Sequence, residues 1–322
     1  MKIKNILFPF IFGFTIILFA SCFKEKKPIR IAANNWPSCE LWYIAEEQGY
    51  FEDVPVEIVR FTKWSDSMAS LYLGKTDLVH STYFNAVYHA GKGEKSKIIL
   101  MTETIFGNQG LVVNKEIQSA SDLKGKKIAV EIDRDEHYLL YKFLRKNNMS
   151  ENDIELVSVS SFEEASKLFI DGKVDAAVTY EPYVSTAVDK VNGNLLMQSN
   201  RKLMSTDVIL AREKSLDKRP EDYSKLVKAW YKAQEFVKNN PEKGYQIMAS
   251  KEKITVNEFK KFYEKFIFFS IDENMEELSS GKIDEELKNL NQFMIESKLT
   301  KKKIDTRKLY DSTVVKMVKG DI

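Results

Sequence analysis

From residue 29 to residue 212 short apolar runs alternate with longer stretches whose apolar residues recur at helical spacing. That alternation commits the chain to an α/β architecture with mainly parallel sheets. Strands are predicted over 29–33, 56–61, 77–81, 97–102, 111–114, 127–131, 155–158, 175–179 and 195–198, with helices between them. The segment 38–48 places Leu41, Ile44 and Ala45 on one helical face before Gly49 stops it. Ser65 can cap a helix carrying Met68, Leu71 and Tyr72, which Gly74 ends. From Arg219 onward the character changes to successive helices, with Leu226, Trp230, Ala233 and Val237 spaced for a buried stripe.

An internal echo organises this pattern. Residues 71–83, LYLGKTDLVHSTY, and 168–183, LFIDGKVDAAVTYEPY, share one plan. An apolar helix end meets Gly and Lys, an Asp opens a strand, and the strand finishes in hydroxyl or aromatic residues. The glycine closes the helix, and the strand's carboxyl end delivers its last side chains to the crevice edge where α/β sheets hold ligands. Two lobes with facing crevices follow, although two ordinary helix-to-strand turns would read the same way.

The amino terminus fixes the compartment. Lys2 and Lys4 precede an apolar stretch from Ile6 to Phe19, which ends at Ala20, Ser21 and Cys22. It is short for a bilayer span, which needs about 20 residues, and it has the form of a secretion signal over 1–21. The FASC run resembles a bacterial lipobox, which implies that Cys22 becomes the acylated first residue and 22–27 a charged tether. Phe19 departs from the usual leucine-like residue of that motif, and a signal cut elsewhere or a retained anchor helix is the alternative. The two lysines carry the whole net charge of +2, so the remaining chain is close to neutral and gives no support to a nucleic-acid partner. With Cys22 assigned to lipid, Cys39 stands alone as a small buried thiol, and no intramolecular disulfide framework is available.

Three segments in register carry a specific resemblance: IRIAANNWPSCELWYIAEEQGYFED (29–53), SASDLKGKKIAVE (119–131) and DGKVDAAVTYEPY (171–183). Together they resemble the periplasmic substrate-binding proteins of the nitrate, sulfonate, taurine and thiamine-precursor uptake family. The similarity covers about 29–212 well and the helical tail only in general character. It implies an α/β type II periplasmic-binding-protein fold, two lobes joined by a two-crossing hinge. By resemblance, lobe one holds 28–108 and 210–322, lobe two holds 109–209, and the crossings lie near Gly107–Gly110 and Ser205–Ala211. The function implied is capture of a small organic nitrogen or sulfur compound (a thiamine-precursor pyrimidine, taurine or an alkanesulfonate) and delivery to an ABC transporter permease. The expected form is a monomeric lipoprotein on the cell membrane, facing the periplasm or the exterior.

Loops after the strands then supply the candidate contacts. Asn35, Trp36 and Ser38 stand at a helix start, where free backbone NH groups favour an anion. Ser65 and Asp66 stand at the next, and Thr82, Tyr83 and Asn85 close the first echo. Asp133, Arg134 and His137 follow the strand KIAVE, Glu181 and Tyr183 end the second echo, and Asp207 lies on the return crossing. The glutamate of the EP pair commonly lies near the ligand in the family. The carboxylates suit an amine or aminopyrimidine, Arg134 and the helix starts suit a carboxylate, sulfonate or phosphate, and a carboxylate in the pocket disfavours bare nitrate. Trp64 is open between surface and cleft, whereas Trp42 and Trp230 are assigned to the core.

No catalytic residue, cofactor or metal is called for. The three histidines, His80, His89 and His137, lack an HExxH spacing, and there is no GxSxG elbow or phosphate-binding glycine loop. A lipid-anchored enzyme, or a sensor's ligand-binding component on the same fold, is the alternative reading.

Overall fold

The computed structural model describes residues 26–105, 107–199 and 206–320. The signal segment, Cys22 and Ser205 therefore lie outside the described residues. In chain order the strands are β1 (Ile29–Ala33), β2 (Val56–Arg60), β3 (Leu78–Thr82), β4 (Ser96–Met101), β5 (Glu103–Ile105) and β6 (Gln109–Val113). They continue with β7 (Lys127–Val130), β8 (Glu155–Ser158), β9 (Ala176–Tyr180), β10 (Asn194–Gln198), β11 (Asp207–Arg212) and β12 (Phe266–Phe268).

Two five-stranded sheets result, ordered β2-β1-β3-β11-β4 and β10-β6-β9-β7-β8, with a small β12-β5 ribbon beside them. Read from opposite ends the two orders coincide. Each sheet has three parallel strands, then a strand antiparallel to them that arrives from the other sheet, then an edge strand antiparallel to that insert. The fold is therefore a two-lobed α/β fold of the type II periplasmic-binding class.

The internal echo is visible atom by atom. Gly74 and Gly172 close their helices at φ +68 and +65, values glycine adopts without strain. Asp77 Oδ2 then accepts from Arg30 N at 3.1 Å, and Asp175 Oδ2 accepts from Lys127 N at 2.9 Å, joining the turn to the neighbouring parallel strand, β1 in one sheet and β7 in the other.

Alternation along the central strands explains the packing. In the second sheet Leu111, Val113, Ile128, Val130, Ala176 and Val178 enter one core. Their neighbours Val112, Ala129 and Ala177 enter another on the opposite face. Successive side chains leave a strand on opposite faces, so a sheet covered by helices on both sides reads as continuously apolar. The first lobe holds the larger core, where Trp42 and Trp230 meet with ring centroids 4.9 Å apart. Helix Pro220–Asn239 buries Leu226, Trp230, Ala233 and Val237 there.

Three departures from the sequence expectation matter. Residues 207–212 are a strand, β11, inserted between β3 and β4, not a loose crossing. Gln109 and Gly110 already belong to β6, so the expected crossing is strand from Gln109 on. Gly107 N donates to Ser199 O and Ser199 N to Gln109 O, which runs the two links side by side. The second helix begins at Trp64 with Lys63 as its cap, leaving Ser65 and Asp66 exposed in its first turn. Among the described residues no helix is long and apolar enough to cross a membrane.

The lobes also touch away from the links. Helix Asp135–Lys146 of the second lobe meets helix Ile283–Glu296 of the first. The Phe293 ring is fully buried against the rings of His137, Tyr138 and Tyr141 at 4.9, 5.2 and 4.9 Å. Lys142 Nζ donates to Glu286 at 2.9 Å and Tyr141 OH to Glu296 at 2.7 Å.

Candidate functional site

Between the sheets lies a cavity of about 330 Å³. Its wall is made where the carboxyl ends of the parallel strands of both lobes converge, the usual place for a ligand in such sheets. Trp36 follows β1 and Thr82 ends β3, while Glu131 follows β7 and Tyr180 ends β9. The antiparallel insert of each sheet begins at the same rim. Asp207 opens β11 opposite Thr82, and Gln109 opens β6 opposite Tyr180. Trp64, Asn85, Ile105, Asn108, Phe162 and the run Arg134, Asp135, Glu136 complete the wall.

The chemistry of the wall is unequal in sign. Trp36 Nε1 donates to Glu103 Oε1 at 3.0 Å, and Ser38 Oγ donates to the same oxygen from behind. Glu103 is fully buried, and burial raises its carboxyl pKa even though Ser38 and Trp36 act the other way. Beside it Asp207, half-buried at the cavity wall, is pushed well above the usual carboxylate range by burial and then by the charges of Glu103 and Asp135. In the second lobe burial raises Glu136 from 4.5 to about 8, with the Asp135 charge adding to it. Gln109 Nε2 donates to Glu136 at 2.6 Å. Burial raises Glu131 as well, and Arg134 Nε donates to it at 3.1 Å.

Of the residues expected from the sequence, Trp36, Thr82, Asn85, Arg134 and Asp207 line this cavity. The others stand elsewhere. Asn35 is exposed and accepts from Arg60 Nε. Ser38 is buried behind Trp36, 3.2 Å from His80 Nδ1. Ser65 and Asp66 lie on the exposed side of their helix, while Tyr83 is in the first-lobe core. Asp133 occupies a left-handed turn at φ +67 and is exposed. His137 turns toward the lobe contact, with Nε2 2.9 Å from Glu151 Oε1. Glu181 lies one residue past the strand and accepts from Ser185 N and Oγ. Tyr183 stands behind Tyr180, their rings 6.1 Å apart. Cys39 is fully buried in the core, and burial pushes its thiol pKa up.

Sequence reasoning missed Glu103, Asn108, Gln109, Glu131, Asp135, Glu136, Phe162 and Tyr180. For four of them a signal existed. Tyr180 and Glu131 are the last residue of β9 and the first after β7, and Asp135 and Glu136 are the first turn of a helix.

The sequence profile of the family described as NMT1/THI5 like matches residues 36–244, more than half of the chain. The chain belongs to the NMT1/THI5-like family. A Bacillus subtilis (strain 168) protein named for aliphatic sulfonate binding is 28% identical over 304 residues, covering 91% of this chain and 88% of that protein. Among solved structures, the periplasmic aliphatic sulphonate binding protein SsuA from Escherichia coli superposes with a TM-score of 0.73 at 17% identity. That match covers 89% of this NMT1/THI5-like chain and 92% of the other. The periplasmic sulfonate-binding protein SsuA from Methylobacillus flagellatus KT gives 0.70 at 17% identity, over 92% and 95%. At such identities the likeness speaks for the fold, and it agrees with the sheet orders above.

Proposed function

We propose that this NMT1/THI5-like chain is an extracytoplasmic solute-binding lipoprotein that captures a small organic nitrogen or sulfur compound and hands it to an ABC transporter permease. One observation carries the reading: a cleft whose wall is shared between two lobes joined by paired links. A guest there contacts both lobes only when they are together, so it favours the closed form, which is the differential contact that lobe closure requires. The cavity is at the small end of ligand pockets, which run from about 300 Å³ upward, so a compact guest suits it. The sulfonate-binding relatives support the class of guest, with a thiamine-precursor pyrimidine, taurine or an alkanesulfonate as the first candidates. Acylation at Cys22 would hold the chain at the membrane as a monomer facing the periplasm or exterior.

The test is titration of the purified chain with these compounds and with the small-molecule fraction of its own cells, read by melting temperature and by X-ray scattering. A rise in melting temperature with a smaller radius of gyration is expected for at least one of them. A flat response to the whole set, with nothing released on denaturation, would remove the reading. Recovery of an ATP-driven permease in a membrane pull-down separates uptake from sensing, and release of the guest unchanged separates binding from turnover.

A further inference from the structure

We propose that the cleft is built for an organic cation, an ammonium or amidinium compound with a short flat or apolar body, and that it turns free sulfonates away. The inference deepens the solute-capture reading and rests on it.

The excess of carboxyl groups in the wall carries the argument. Five of its side-chain donors are already on acceptors within the protein. Trp36 Nε1 is on Glu103, Gln109 Nε2 on Glu136, Thr82 Oγ1 on Asp135, Asn85 Nδ2 on Thr82, and Arg134 Nε on Glu131. Trp64, Tyr180 and the outer nitrogens of Arg134 add further donors, and the acceptor capacity is larger. Asn108 is 7% exposed, lines the cavity, and its Oδ1 has no hydrogen-bond partner among the described residues. Carboxyl groups reach the site from both lobes, Asp207 with Glu103 behind it from one and Glu131, Asp135 and Glu136 from the other. Against them stands one guanidinium, that of Arg134, which is half exposed and paired to Glu131.

A sulfonate has three acceptor oxygens and a full negative charge. It would meet the Asp135 charge and a wall whose carboxyl groups outnumber its one guanidinium. One helix start at the wall, that of Asp135–Lys146, has Asp135 and Glu136 in its first turn, so its positive end already faces carboxyls. A protonated amine or amidine supplies the donors that Asp207 and Asn108 lack and the charge that lets the crowded carboxyls ionise. Trp36, Trp64, Phe162 and Tyr180 offer ring faces to its body and to its charge.

The test compares propylammonium, acetamidinium, benzamidinium and ethanesulfonate at equal concentration on the purified full chain, by melting temperature and calorimetry. At least one cation is expected to bind ~100-fold more tightly than ethanesulfonate, about 2.7 kcal/mol by the tenfold-per-1.4 rule. Asp207→Asn and, from the other lobe, Glu136→Gln should each weaken that cation about tenfold or more while circular dichroism stays that of the wild type. Binding of ethanesulfonate with none of the cations would overturn the inference and leave solute capture standing. If no probe binds but the cell's small-molecule fraction does, mass spectrometry of the retained compound decides: a cation supports the inference, and a neutral or anionic compound overturns it. Silence from probes and fraction alike removes both readings.

Discussion

Thr82 Oγ1, at the end of β3 in the first lobe, donates to Asp135 Oδ2, in the first turn of the second-lobe helix, across 3.2 Å. The bond spans the cavity mouth and ties the lobes where a guest would tie them. The same oxygen accepts from Asn85 N at 3.3 Å and so caps helix Tyr83–Gly91. Thr82→Val removes both interactions at nearly constant volume, whereas Thr82→Ser keeps both. The valine variant should lose about 0.5–2 kcal/mol of stability through the cap. It should also bind its ligand roughly 2- to 10-fold less tightly, the equivalent of one net hydrogen bond lost from the closed form. Denaturant melts and ligand titrations of the two variants check this. Equal affinity in both would show that the bond does not hold the lobes.

Stability should fall between pH 6.5 and 8. Glu136 is raised from 4.5 to about 8 by burial and by Asp135, with Glu131 adding to it and Gln109 donating to it. The folded chain therefore keeps a proton that the unfolded chain gives up above about pH 4.5, and the unfolded form gains on the folded one as pH rises to about 8. Glu40 and Glu252, both raised to about 7 by burial, act in the same direction. Burial lowers His80 to about 3 and His89 to about 4, which has the opposite slope, but that contribution is complete once pH passes the unfolded value of 6.5. Each carboxyl adds a slope of at most about 1.4 kcal/mol per pH unit. Urea denaturation from pH 6.5 to 8 should show the decline, and Glu136→Gln should flatten it most between pH 7 and 8, above the Glu40 and Glu252 midpoints. An unchanged slope in that variant would place the proton elsewhere.

Most strands were legible because apolar runs bounded by turn residues have few other solutions. The predicted bounds fall within two residues of β1 to β4 and β6 to β10. β11 escaped because DVILAR reads equally as a strand or as the apolar end of a link, and only its pairing with both β3 and β4 decides. The β5 and β12 strands are three residues each and pair across a large sequence separation, so no local pattern announces them. At the site the error was one of register. Glu181, Tyr183 and Asp133 were chosen for their chemistry, but the wall is set by where strand and helix end, which brings in Tyr180, Glu131 and Glu136. Glu136 and His137 are consecutive on a helix and so point about 100° apart, one into the cavity and the other onto Phe293. Glu103 has no sequence signal, since its partners Trp36, Ser38 and Asp207 are brought to it only by the closed fold.

Phe293 should be the residue whose loss most loosens the lobes at the contact between the two helices. Its ring is fully buried between lobe-one core and the His137, Tyr138 and Tyr141 rings of the other lobe. Phe293→Ala should cost about 3–5 kcal/mol, the range for deleting a buried aromatic side chain. Because His137, Tyr138 and Tyr141 belong to the second lobe, the ligand-free protein should also become larger in solution scattering. Phe293→Leu, which fills most of the space, should recover most of the stability. A destabilised alanine variant with an unchanged scattering profile would confine Phe293 to first-lobe packing.

Affinity for a cationic guest should rise with pH, because the carboxyls around it must ionise to receive it. Asp207 faces Glu103 and Asp135, with the Trp36 indole as its favourable neighbour, and burial and the Glu103 charge hold its carboxyl protonated above the usual range. Glu136 faces Asp135 and Glu131 and titrates at about 8. A bound cation stabilises the ionised form of each group and lowers its pKa, so protons leave as the guest enters. Between the lowered and the unliganded values, each proton released makes binding up to about tenfold tighter per pH unit. For Glu136 that window closes near pH 8, where the unliganded group is already ionised. Calorimetry in two buffers of different ionisation enthalpy should give heats that differ by the protons released, and Asp207→Asn should reduce that number. Identical heats in both buffers with a pH-independent affinity would mean that the carboxyls were charged before the guest arrived.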